Sequence, residues 1–272
     1  MNTLTSIYSQ TRSNKKSKNC IFWLDATDNT KLTMNSSNVT QWIDKTRSYI
    51  FSVQNNSHAT KTTVNGKQFL NFTSGGRYYN SGIRPSTQNH TVFAVGYTTK
   101  TSYTYGFGYI IGLPADLYWF FGVGPAGGFG GSPANRFGSF YSDGASWGAG
   151  NTNLVPYSNN FDATSLCIMC NTNNNTSAGN IPYFNGSMGT AKSGLTGNYN
   201  TWGIAIGYAP TNSANQDWGG YIGEILMYNR VLTTQERQPI EGYLAWKWGI
   251  QTKLPTNHPY YSVQPSSSVV DL

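Results

Sequence analysis

Apolar residues in this chain come in short runs that alternate with polar ones and usually end at Gly, Asn or Pro. Cys20–Asp25 (CIFWLD), 39–43 and 69–72 are each long enough for a strand and too short for a helix. Residues 91–98 (TVFAVGYT) alternate with apolar side chains on both faces, which predicts a central strand covered on both sides. Between 107 and 148 aromatic residues recur beside glycines, as in 117–121 (LYWFF), and predict strands separated by Gly-rich turns. Further strands are expected at 165–171, 202–208 and 221–228. Asn185-Gly186, directly after Pro182-Tyr183-Phe184, predicts a two-residue hairpin turn.

One segment has the helical signature. Thr233 and Glu236 have capping-box spacing, and Gly249 is placed to stop the helix in a left-handed conformation. Ile240, Tyr243 and Leu244 share a face that would dock on a sheet. Pro239 removes one helical donor, so the helix is expected to kink there or to begin near it. The expected organisation is a basic polar arm over 1–19, a β-sandwich domain over 20–250 that includes the helix near 233–249, and an extended C-terminal tail over 251–272.

Two blocks of sequence resemble a known family. The first is Phe22-Trp23-Leu24-Asp25-Ala26-Thr27-Asp28, then Val39-Thr40-Gln41-Trp42-Ile43-Asp44-Lys45, then Phe69-Leu70-Asn71-Phe72. The second runs from Gly220 through Glu224, Tyr228 and Arg230 to Glu241-Gly242-Tyr243-Leu244-Ala245-Trp246-Lys247-Trp248-Gly249. Together they resemble the concanavalin A-like, laminin-G-like jelly-roll domains, including members found in structural proteins of large DNA viruses. The resemblance implies an all-β, two-sheet antiparallel jelly-roll sandwich with one C-terminal helix packed on it. It says little about activity, because this fold carries lectins, glycanases and plain structural modules.

Composition narrows the function classes. Charged residues are 11% of the 272 and aromatic residues 15%, with 30 glycines, which suits a turn-rich β protein. The net charge is +7, part of it from the cluster Arg12, Lys15, Lys16 and Lys18, a candidate interaction arm. Three cysteines, Cys20, Cys167 and Cys170, do not make a disulfide framework, and residues 1–19 lack a signal-peptide core. The most apolar stretch, 109–131, is broken by prolines and glycines, so no membrane span is expected. These features predict a soluble protein made in a reducing compartment.

The candidate chemistry is sparse. Glycoside hydrolysis needs two carboxylates facing one cleft. There are only three glutamates, Glu224, Glu236 and Glu241, and the closely spaced acids of the glycanases in this superfamily are missing. Glu224, set among apolar neighbours, reads as a paired core carboxylate, and Trp23 and Trp42 read as core. Cys167 and Cys170 form a lone C-x-x-C whose members point to opposite faces of a strand, so they read as buried structural thiols and not as zinc ligands. No cofactor and no metal are expected; Asp25, Asp28 and Asp217, with Asn212 or Asn215 near the last, are weak calcium candidates whose stronger reading is turn and cap roles.

Tyr103, Tyr105, Trp147, Tyr199 and Trp218 are the aromatic candidates for contact with a glycan or a partner. The expectation is a non-enzymatic structural or interaction module: a minor capsid or surface protein of a large DNA virus, made in the host cytoplasm and found in the virion, binding neighbouring coat proteins. The alternative is a carbohydrate-binding, lectin-like module. Charge favours a nucleic-acid partner, but no recognition motif supports one.

Overall fold

A computed structural model describes residues 20–85, 88–100, 108–113, 119–124, 136–141, 154–156, 163–191, 203–208 and 217–266. The strands, in chain order, are β1 (Cys20–Asp25), β2 (Leu32–Asn35), β3 (Asn38–Ile43), β4 (Ile50–Val53), β5 (Thr60–Val64), β6 (Lys67–Asn71), β7 (Tyr78–Asn80), β8 (His90–Thr98) and β9 (Gly108–Gly112). They continue with β10 (Trp119–Gly124), β11 (Arg136–Tyr141), β12 (Leu154–Pro156), β13 (Cys167–Asn173), β14 (Asn180–Phe184), β15 (Ser187–Met188), β16 (Ile204–Ile206) and β17 (Gly220–Tyr228). The helix α1 is Thr234–Trp248.

Pairing between these strands is antiparallel and builds two layers. In the first, β15, β14, β13, β8 and β17 are neighbours, and the far edge of β17 is shared by β1 and the β5–β6 hairpin. The second runs β2–β3–β4–β7–β16–β9–β10–β11–β12. Among the described residues, the pairing of Asn38 with Thr60 joins the layers through β3 and β5. The chain is therefore an all-β sandwich with one C-terminal helix.

Strand alternation splits the apolar residues between two cores. Phe22, Leu24, Val92, Ala94, Cys167, Met169, Ile225 and Met227 point between the sheets and meet Trp42, Phe51, Tyr78, Ile111, Phe121 and Ile206. The residues between them along the same strands, Phe93, Val95, Ile168, Cys170, Leu226 and Tyr228, point outward and are covered by Ile240, Leu244 and Trp248 of α1. That is why β8 reads as apolar on both faces. Cys167 and Cys170 fall in different cores, as i and i+3 positions of a strand must.

The helix begins at Thr234. Thr233 and Glu236 complete the capping box, and Gly249 (φ 71°, ψ 31°) ends the helix with its amide bonded to Ala245 and Trp246. Pro239 is buried inside α1 and does not start it. Residues 251–266 are not a free extension. After the 3-10 turn Gln251–Lys253, Leu254 and His258 are buried, the Trp246 indole donates to the Tyr260 carbonyl at 2.9 Å, and the Tyr260 ring packs over Gly242. The segment thus straps the outer side of α1. No helix among the described residues is long and apolar enough to cross a membrane.

Candidate functional site

Apart from Asp44, which accepts the Trp23, Thr46 and Arg47 amides, and Glu236, which pairs with Arg230 at the helix cap, the described acids fall into three groups. The first lies where β1 meets β17, a register that sets Asp25 directly opposite Glu224. A bulge between Ile222 and Glu224 interrupts the alternation of β17. Ile222 therefore shares the inter-sheet face with Ile225 and Met227, while Glu224 turns toward the helix. Gly223 sits at the bulge because the Trp248 ring packs where its Cβ would be.

Glu224 is fully buried, and both of its oxygens are engaged. Oε1 accepts from the Trp23 indole at 2.6 Å and faces the Tyr243 hydroxyl at 3.4 Å. Oε2 accepts from the Trp248 indole and lies 2.8 Å from Lys247 Nζ. Lys247 Nζ is also 2.8 Å from Asp25 Oδ2, which a second ammonium, Lys45, approaches at 2.8 Å. Asp25 Oδ1 takes the Thr27 amide and hydroxyl.

Burial alone would push the Asp25 carboxyl up. The Lys247 charge and the hydrogen bonds from Lys247, Lys45 and Thr27 outweigh it and hold the group at about 2. Glu224 is shifted upward, because burial and the neighbouring Asp25 outweigh Lys247 and the Trp248 bond. Two adjacent carboxyls with pKa values driven apart are what a glycosidase uses. Here, however, the partners just named saturate both groups and leave no oxygen open to a sugar. Lys45 also stacks 4.2 Å over the Trp23 ring and closes the outer side.

The second group is also closed. Glu241, fully buried in α1, pairs with Arg237 and with His258 Nε2 at 3.2 Å, while the Arg237 guanidinium lies 3.7 Å over Tyr183. It fastens the strap to the helix. Cys170 lies beside it, and burial together with the Glu241 charge pushes its thiol well up, which disfavours the thiolate.

The third group is different. Arg77, just before β7, and Asp217, just before β17, meet on the far side of the second sheet. Arg77 Nε and Nη2 both reach the same oxygen, Asp217 Oδ2, at 2.9 and 2.8 Å. Among the described residues, Asp217 Oδ1 and Arg77 Nη1 have no partner, and the two side chains remain 13% and 17% exposed. The guanidinium lies 5.6 Å from the Tyr208 ring. Two residues along the strand, on the same face, half-buried Tyr79 lies across Gly203. Its register neighbours Ser52 and Gln41 extend a polar row over the sheet. Burial raises the Asp217 carboxyl against the lowering effect of Arg77, and burial with the nearby Tyr79 raises the Tyr208 hydroxyl to about 12. Both tyrosines are therefore neutral donors at ordinary pH. A planar donor and acceptor beside aromatic rings form a site suited to hydroxyl groups.

The residues expected from sequence fare unevenly. Tyr103, Tyr105, Trp147 and Tyr199 lie outside the described residues, as do Asn212, Asn215 and the arm residues Arg12, Lys15, Lys16 and Lys18. Trp218 is not a contact residue. It is fully buried in the inter-sheet core, two residues before β17 begins.

Asp25 and Asp28 come together at Lys45, 2.8 and 3.6 Å from its ammonium, where a lysine already supplies the positive charge a metal would bring. Asp217 is engaged separately by Arg77. No group of three His, Cys, Asp or Glu among the described residues is placed to hold a metal.

Sequence reasoning missed Lys45, Lys247, Arg77, Tyr79 and Tyr208. The lysines had a signal: a lone glutamate in an apolar strand needs a cation, and both sit beside tryptophan-containing motifs. Arg77 had none, since its partner is 140 residues away.

No family model and no curated protein matches the chain in sequence. Solved structures do match in shape. Domain 4 of an extracellular GH43 arabinanase from Geobacillus stearothermophilus, in complex with arabinotriose, aligns over 79% of this chain and 94% of that domain, with TM-score 0.56 and 14% identity. The binding domain of botulinum neurotoxin serotype D/C aligns over 84% of this chain and 53% of its own length, with TM-score 0.55 and 12% identity. Trypanosoma rangeli sialidase bound to a difluoro-KDN ligand aligns over 79% of this chain and 31% of its own length, with TM-score 0.51 and 14% identity. At these identities the likeness shows the fold, a β-sandwich. The chain spans about half of the toxin domain and under a third of the sialidase.

Proposed function

We propose that this chain is a carbohydrate-binding module without catalytic activity, and that it holds a saccharide at Arg77, Asp217, Tyr79 and Tyr208. The observation that carries this reading is the half-satisfied ion pair. Among the described residues, Arg77 keeps one nitrogen and Asp217 one oxygen without a partner, beside half-buried Tyr79 and the buried Tyr208 ring against which the guanidinium lies. The matched arabinanase domain, solved with an arabinose oligomer, supports the reading as an analogy of fold. The closed state of the Asp25–Glu224 pair supports the non-catalytic part.

The test is a glycan array on the purified full chain, with calcium and with chelator, followed by calorimetry on the best ligand. Selective binding is expected, lost in Arg77→Met with Tyr79→Ala, and the bound glycan should be recovered uncut. Binding that survives the double variant, or an array silent in both conditions, overturns the assignment.

A second reading, a coat or surface protein of a large DNA virus particle, rests on the resemblance of the two end blocks and on the basic cluster Arg12, Lys15, Lys16 and Lys18. It predicts that removing 1–19 weakens particle assembly, and an unaffected particle would remove its support.

A further inference from the structure

The chain places the same Asn-Gly dipeptide at the turn of two hairpins with like geometry and opposite surroundings. Asn65-Gly66 joins β5 to β6 with φ of 49° and 74°, and Asn185-Gly186 joins β14 to β15 with φ of 45° and 81°. Positive φ at both central residues is what a two-residue turn of this handedness requires, and Asn-Gly supplies it at least cost.

The second turn is clamped. Asn185 is 7% exposed, its Oδ1 accepts the Ile168 backbone N–H at 2.8 Å, and its backbone N–H donates to the Ile168 carbonyl at 2.8 Å. His258 and Leu254 press on Gly186, 3.1 and 3.3 Å from where a Cβ would sit. The first turn is open. Asn65 and Gly66 are both exposed, nothing lies within 4 Å of the Gly66 Cβ position, and among the described residues neither the Asn65 amide group nor the Gly66 N–H has a partner.

We propose that Asn65 is a site of spontaneous covalent modification, converted by water to an aspartyl or isoaspartyl residue, while Asn185 is protected by its fold. The Gly66 backbone nitrogen, once it gives up its proton to solvent base, attacks Asn65 Cγ. The new N–Cγ bond closes a five-membered succinimide as the Cγ–N bond of the side-chain amide breaks and ammonia leaves. Water then opens the ring at either carbonyl. One opening restores the α-linked backbone with a carboxylate side chain. The other routes the backbone through the former side chain and adds a methylene to it. The sum is Asn plus water giving a carboxylate and ammonia, with no oxidant or reductant.

Glycine is the following residue best suited to the attack, because it has no side chain to block the nitrogen. Rotation of the Asn65 side chain breaks no bond. At Asn185 the same rotation would strip Ile168 of its acceptor inside the core. The product sits at a hairpin tip between Lys61 and Lys67, and Lys67 Nζ caps the C-terminal turn of α1 by donating to the Lys247 carbonyl at 2.8 Å. A carboxylate formed there competes for that ammonium and lowers the net charge by one, from +7 to +6.

The experiment incubates the full folded chain at neutral and mildly alkaline pH, sampling over weeks by cation-exchange chromatography and tryptic peptide mapping. The peptide Thr62–Lys67 isolates Asn65 between cleavage sites. The expected result is a growing, earlier-eluting species with the mass change of NH2 to OH confined to that peptide, faster at higher pH. It should be absent in Asn65→Gln and accompanied by an intact Asn185. A denatured sample should modify both turns and so sets the unprotected rate. An Asn65 that stays intact in the folded protein while the denatured chain reacts overturns the proposal, as does an Asn185 that reacts as fast as Asn65 in the folded state.

Discussion

Two carboxylate–cation groups in this sandwich teach opposite lessons. At the seam of β1, β17 and α1, Asp25 and Glu224 meet two ammonium groups and two indoles, so every oxygen is occupied and Glu224 has no exposed surface. On the far side of the second sheet, Asp217 meets one guanidinium that uses two nitrogens on a single oxygen, and among the described residues each group keeps one atom without a partner. The buried group resembles an active site in its pair of adjacent acids and in their split pKa values, yet it is a fastening. The Arg77–Asp217 group has the form of an ordinary ion pair, yet among the described residues it is the one with unpartnered atoms. What separates them is saturation, which the identities of the charged residues alone do not reveal.

The largest expected effect tests the fastening. Glu224→Ala leaves Lys247 and the Trp23 and Trp248 indoles without their acceptor in a buried setting, and should cost about 3–5 kcal/mol in chemical denaturation. The surviving folded fraction should bind glycan as before. A loss under about 1 kcal/mol would mean that the network is wet and open.

Acid comes next. Asp25, held at about 2 against an ordinary 3.8, contributes stability that is complete above the higher value and lost as pH falls through the lower one, about 2 kcal/mol in all. Glu224 works in the opposite sense. Its raised pKa means that its contribution shrinks as pH climbs above 4.5. Acid unfolding followed by fluorescence should therefore steepen below pH 4, and Asp25→Asn should flatten it.

A smaller effect is local to the helix. Thr233→Ala removes the acceptor for the Glu236 amide and should cost about 1 kcal/mol.

The smallest effect on stability belongs to the open pair. Replacing both partners, Arg77→Met with Asp217→Asn, should leave the melting transition within about 1 kcal/mol of the parent while abolishing glycan binding. A large stability loss with binding intact would reverse the roles assigned to the two groups.

Much of the architecture was legible in the sequence. The capping box, the Gly249 stop and the Asn185-Gly186 turn are local signals, and each appears where its residues place it. The apolar runs marked β1, β3, β6, β8, β13 and β17 because those strands line a core. Strands β2 and β5 were not legible, since LTMN and TKTTV are mostly polar and find their place through neighbours rather than through burial. The faces of β17 upstream of Glu224 depart from simple alternation, because a bulge at Gly223 shifts it by one and only the Trp248 ring, far along the chain, explains it. The candidate site was illegible for the same reason. Arg77 and Asp217 carry no motif, and they become a site only after β7 and β17 are in position.

The pairing of β1 with β17 also governs how the molecule can be made. Cys20 finds Tyr228, and Asp25 finds Glu224, only across most of the chain's length. On a ribosome the first strand must wait, unpaired and aromatic, until the last strand and α1 have emerged. Topologies so rich in distant pairings fold in about milliseconds to seconds rather than microseconds. For this domain, synthesis and folding are therefore sequential events. In the interval between them the unpaired strand is open to pairing with the wrong partner.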